Sequence, residues 1–186
     1  MSFSGELDPK VIPTSAPAVP KLVPVFFVNV KTSLDPETIF KKSATNSSLT
    51  LATIVNGTVT TVPNDLGLEF ELSDIKGYDD LRTNNTIGMA RLDCKFYAKT
   101  PNGTGVHFTY PGVVHFTDDV LAVLGGKASS CTFEDNYVTN NPKFEFDDTI
   151  EEKYKWVAKE NFIGKGRFAR GEDGALYVQY YTYVLR

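Results

Sequence analysis

Short runs of alternating polar and apolar residues, each stopped by Gly, Pro or Asn, recur from Lys21 to Arg186 and constrain this chain more than any other feature. Side chains two residues apart share one face of a strand, so this period demands a sheet with one face covered. "KLVPVFFVNV" (residues 21–30) is β-branched and alternating, and "LTLATIVNGTVTTV" (49–62) carries Asn56-Gly57, a pair that predicts a two-residue hairpin. "GMARLDCKFYAKTPNGTGVHFTY" predicts two strands around Pro101-Asn102-Gly103. "PKFEFDD", "KYKWVAKENFIGKGRFARG" and "GALYVQYYTYVLR" predict the remainder. Helix signals are few. Asp35-Pro36-Glu37 has an acidic cap and a proline at the first position; "TDDVLAVLGG" predicts a short helix capped by Asp118 or Asp119 and stopped at Gly125. Eight to ten strands without βαβ alternation mean a sandwich or a barrel. Gly164 and Gly166 inside one strand supply the bends or close approaches that closure needs, which favours an antiparallel closed or nearly closed barrel with one or two short helices.

Residues 1–20, rich in Pro, Ser and Ala, are expected to form a flexible arm, and residues 21–186 a single barrel domain. A net charge of -4 argues against nucleic acid or an anionic membrane surface as partner. The start of the chain has no basic segment leading into an apolar run, and two cysteines make no disulfide framework. A cytoplasmic protein is therefore expected, with four N-x-Ser/Thr triplets at Asn46, Asn56, Asn84 and Asn102 as the dissenting signal. Exposed strand edges leave room for a homodimer.

A further pattern lies in "GYDDLRTNNTIGMARLDCKFYAKTPNGTG", in Val120, Leu121, Leu124 and Gly125, in "YVTNNPKFEF" and in "KWVAKENFIGKGRF". On these residues the chain resembles the UPF0311/DUF3237 family of small bacterial and fungal proteins of largely unassigned activity, over most of its length after about Leu22, with Ser33–Asn64 matching poorly. Asp79 matches the family's Asp, whereas Asp80 stands where Trp is usual and Lys95 where Arg is usual. The resemblance implies a calycin-like or allene-oxide-cyclase-like barrel and leaves the chemistry open.

Candidates for chemistry are ionisable groups set among apolar strand positions. Asp93 and Glu145 are the candidate catalytic acids. Arg167, His107, Tyr181 and Tyr183 are candidate ligand contacts, together with Asp79 and Trp156 from the family motifs. If Asp93, Glu145 and Arg167 converge, they form a semi-enclosed pocket beside Arg167 lined by tyrosines. No metal site is expected, since the two histidines lack ligand spacing, and no phosphate- or dinucleotide-binding motif suggests a cofactor. Two functions fit: a small-molecule-binding barrel without turnover, with regulation as one use, or a cofactor-independent isomerase or cyclase. In the second, a carboxylate would act as acid and base while Arg and Tyr steady oxyanion charge.

Overall fold

A computed structural model describes residues 19–186; the expected N-terminal arm lies outside the described residues except for its last two. Ten strands form one antiparallel sheet: β1 (Leu22–Thr32), β2 (Glu37–Phe40), β3 (Ser47–Thr61), β4 (Ser73–Asn84), β5 (Met89–Lys99), β6 (Gly105–His115), β7 (Val138–Asn140), β8 (Lys143–Phe146), β9 (Phe162–Arg170) and β10 (Leu176–Leu185). Eight close into a barrel in the order β1-β10-β9-β7-β6-β5-β4-β3, sealed by the β1–β3 pairing. β2 lies outside this ring on β3, and β8 extends β6.

Alternation builds the lumen. On β5, Ala90, Leu92, Cys94, Phe96 and Ala98 are buried, while Arg91, Asp93, Tyr97 and Lys99 are exposed. One end of the lumen is packed solid. Phe26, Phe70, Phe144 and Phe162 meet with ring centroids 5.0–5.7 Å apart. A 3₁₀ helix, Glu152–Lys159, adds Tyr154 and Trp156 beside them. Burial of each such ring contributes about 1.5–3 kcal/mol, and each well-oriented pair about 0.5–1.5 kcal/mol more. Helix α1 (Asp118–Leu124) packs at the other end through Val120 and Val123. Its cap is Thr117 and not, as expected, Asp118 or Asp119, which fall in the first turn; the Thr117 hydroxyl accepts from the Val120 N–H, and Gly125 ends the helix.

Three further local expectations are overturned. Asn56-Gly57 makes no hairpin but lies within β3, where the strand leaves its pairing with β4 and takes up β1. The Asn56 carboxamide accepts from the Gly57 N–H, and a Cβ at Gly57 would meet the Asn29 carbonyl at 2.7 Å, so the glycine serves close approach. Asp35-Pro36-Glu37 opens strand β2, because a free edge of β3 was there to pair. The first half of "KYKWVAKENFIGKGRFARG" is the 3₁₀ helix, with only the second half a strand. Among the described residues no helix is long and apolar enough to cross a membrane.

Candidate functional site

At the α1 end the lumen opens into a cavity of about 60 Å³, room for a few waters or the core of a small molecule. Val30, Ile54, Leu92, Val114, Phe168 and Val178 make its apolar wall. Apart from Thr32, whose hydroxyl donates to the Ser33 carbonyl, its polar groups lie together: Asp79 from β4, Cys94 from β5, Tyr110 from β6 and Tyr180 from β10. Register brings them there. Asp79 pairs with Cys94 across β4–β5, and Cys94 with Tyr110 across β5–β6. Tyr180 reaches the same place from the far side of the barrel, its ring meeting that of Tyr110 edge-on at 5.6 Å. Among the described residues, no Lys, Arg or His lines this cavity.

Apolar surroundings and the absence of a cation govern the ionisation. Burial pushes the Asp79 carboxyl up from 3.8 to about 6, against the Cys94 thiol and the Asp93 N–H, which favour the ionised form. That N–H donates to Asp79 Oδ1 at 3.0 Å. Burial, reinforced by the Asp79 charge, also pushes the Cys94 thiol well up. Burial does the same to the Tyr110 and Tyr180 phenols. The cavity thus holds one carboxyl that titrates near neutrality and three groups that keep their protons. Protonated tyrosines are hydrogen-bond donors; a protonated thiol is a poor nucleophile.

Tyr180 owes its position to the two glycines of β9. A Cβ on Gly166 would fall 2.4 Å from the Tyr180 ring, and one on Gly164 would strike the Asn140 carboxamide. The expected close approach is therefore made by Tyr180 and Asn140. Among the described residues the Tyr180 hydroxyl has no hydrogen-bond partner, nor do the Asn140 amide and the Thr182 hydroxyl. Thr182 and Asn140 both pair with Gly164, one lumen layer deeper than Tyr180. Toward solvent the cavity meets a vestibule of about 250 Å³ bounded by the β1–β2 connection, the C-terminal end of α1 and the β9–β10 turn.

Of the residues singled out in the sequence, Asp79 is in the cavity. The others face outward or pack elsewhere. Asp93 is exposed and paired with Lys95 at 2.9 Å; Glu145 is exposed and reaches His107 Nδ1 at 3.2 Å, with His107 stacked on Tyr97. Arg167 lies on the outer wall, donating from Nε to Gln179 at 2.8 Å with its guanidinium over Phe133. Tyr181 packs outside between Phe27 and Phe133, and Tyr183 shares that outer face, half-buried. Trp156 packs on Phe26 and Phe162 and donates to the Glu69 carbonyl at 2.8 Å. Asp93, Glu145 and Arg167 therefore do not converge, and the pocket expected beside Arg167 gives way to one on the opposite face of the same strands. Cys94, Tyr110 and Tyr180 were not singled out. The parity of "RLDCKFY" carried the signal, since Arg91, Lys95 and Tyr97 share the Asp93 face and leave Cys94 to the other.

Residues 20–185 match the family described as "Protein of unknown function (DUF3237)", and the chain belongs to that family. Among curated proteins it finds no sequence match. It is similar in fold to a conserved protein of unknown function from Rhodopseudomonas palustris (16% identity, TM-score 0.68, covering 92% of this chain and 100% of that one). A β-barrel-like protein from Acinetobacter baumannii is also similar (18% identity, TM-score 0.64, 92% and 99% covered). So is an enzyme from Penicillium herquei, at 14% identity and TM-score 0.50, with 89% and 98% covered.

Proposed function

We propose that this DUF3237 barrel is a cofactor-independent acid–base catalyst that moves a proton within a small, largely apolar molecule, as an isomerase or cyclase does. One observation carries the proposal: a carboxyl raised to about 6 in an apolar cavity beside two tyrosines that hold their protons. A general base works best when its pKa lies near the working pH. Ionised Asp79 would take a proton from a carbon next to a carbonyl, or from a hydroxyl, and return it at a second position. No net redox change or leaving group is involved. Tyr110 and Tyr180 would donate hydrogen bonds to the oxygen on which charge develops, in a water-poor site where such bonds are strongest. Cys94 would hold Asp79 in place without attacking. The Penicillium herquei neighbour, itself an enzyme, shares the fold and lends support at that level only.

Binding without turnover is the second reading, supported by the apolar wall of Val30, Ile54, Leu92, Val114, Phe168 and Val178, which would hold an apolar ligand without any chemistry. Exchange of carbon-bound protons for deuterium separates the two. With a panel of small enolisable ketones in deuterium oxide, the protein should speed exchange, the rate rising with pH through about 6 as Asp79 ionises. Asp79→Asn should remove the acceleration. Equal exchange by the Asn variant would rule out Asp79 as the base.

A further inference from the structure

At the vestibule stands a cation that pairs with no acid among the described residues. Arg170, the last residue of β9, is half-buried and donates from Nε to the Val123 carbonyl at 2.7 Å, from Nη2 to Leu124 at 2.6 Å and from Nη1 to Gly174 at 2.7 Å. The first two acceptors lie at the C-terminal end of α1, where unsatisfied carbonyls favour a positive group. The third lies in the β9–β10 turn. Three contacts from one planar group fix its orientation, yet a guanidinium has five N–H groups, so two remain. None of the ion pairs among the described residues involves Arg170. Asp173 in the same turn pairs through Oδ2 with Lys31 and accepts from the Ala175 N–H through Oδ1, not from Arg170. A half-buried cation held only by neutral carbonyls is under-compensated, and an anion at the vestibule would complete it.

Thr32, Ala52, Leu81, Leu124 and Leu176 line both the vestibule and the inner cavity, so the two spaces lie side by side. They are opposite in character, with Arg170 lining the outer one and Asp79 the inner. Resting on the acid–base reading above, we propose that the substrate is a monocarboxylate with a compact apolar body. Its carboxylate binds the free N–H groups of Arg170, and the uncharged reactive part points inward to Asp79 and the tyrosines. Asp79 repels a second anion, so dicarboxylates are excluded. With no second cation at the mouth, a carboxylate suits the site better than a phosphate dianion.

Matched probes test this. Binding of 3-phenylpropanoate and of 3-phenylpropanamide is measured by calorimetry and by amide shifts of Leu124 and Leu176, on the wild type, Arg170→Gln, Arg170→Lys and Asp79→Asn. The wild type should prefer the carboxylate at least tenfold, the preference falling with salt. Arg170→Gln should abolish it, and Arg170→Lys, which keeps the charge but not the fork, should retain part of it. Asp79→Asn should leave it intact or enlarge it, so loss of exchange activity in that variant bears on the acid–base reading alone. Thermal melts of both Arg170 variants report any loosening of α1. Equal affinity for acid and amide, a preference that survives in a folded Arg170→Gln protein, or no binding of either probe at millimolar concentration would each overturn the proposal.

Discussion

Replacing Asp79 with Asn should make the protein more stable at pH 8 and leave its stability almost unchanged at pH 4. The asparagine keeps the shape and an acceptor for the Asp93 N–H, removes the charge, and puts an NH2 group in place of the second oxygen. The wild-type carboxyl sits at about 6 in the folded protein against 3.8 for a free side chain. A raised carboxyl means that the native state binds more protons than the unfolded chain between those values, so wild-type stability falls as pH rises through that window. A shift of about two units costs about 3 kcal/mol once the group is ionised. That figure is a ceiling, since Asp79 is only partly buried. Urea denaturation of both proteins at pH 4, 6 and 8 checks it, and the difference between them is what counts. Asp147, Glu152 and Asp173, held low respectively by the Thr149 N–H and hydroxyl, Lys155 and Lys31, give the opposite trend in acid in both proteins and cancel. A variant no more stable than the wild type at pH 8, or a gain independent of pH, would refute the reasoning.

Gly166→Ala drives a methyl group against the Tyr180 ring and should cost about 1–3 kcal/mol, seen as a melting temperature lower by several degrees. Tyr180→Phe removes a buried hydroxyl without a protein partner, so stability should hold or rise slightly in thermal melts while deuterium exchange slows at least tenfold. Arg167→Ala should leave both exchange and probe binding at wild-type levels, because Arg167 lies on the outer wall; a large loss in either assay would place a site there.

The barrel was legible because two-residue periodicity is a direct record of which face is covered, and the lumen-facing residues of β5 and β10 follow it without a break. Asp79 was legible only through the family motif. On its own strand it lies in "GYDDLRT", beside Asp80, and nothing local says which of the two acids faces inward. Asp93, Glu145 and Arg167 misled because a charged residue flanked by apolar ones is the ordinary pattern of an outer-face position, the same alternation seen from the wet side. Tyr180 was hidden for a different reason. Its reach across the lumen depends on two glycines that become its neighbours only once β9 pairs with β10. The false hairpin at Asn56-Gly57 has the same origin, since a remote strand, β1, determined what that glycine is for.

The seam of the barrel joins its first strand to its last, with Lys21 and Arg186 exchanging backbone hydrogen bonds at 2.7 and 2.9 Å just beyond the paired ends. This sets an order in time. While the chain is being made, β3 through β9 can pair with neighbours, but β1 waits with one flank bare until β10 has emerged. Closing so long a loop is entropically slow, and an unpaired flank invites other chains. Such a barrel needs protection late in synthesis rather than early, and the step that seals its wall also completes the lumen, because Leu176, Val178 and Tyr180 arrive with β10.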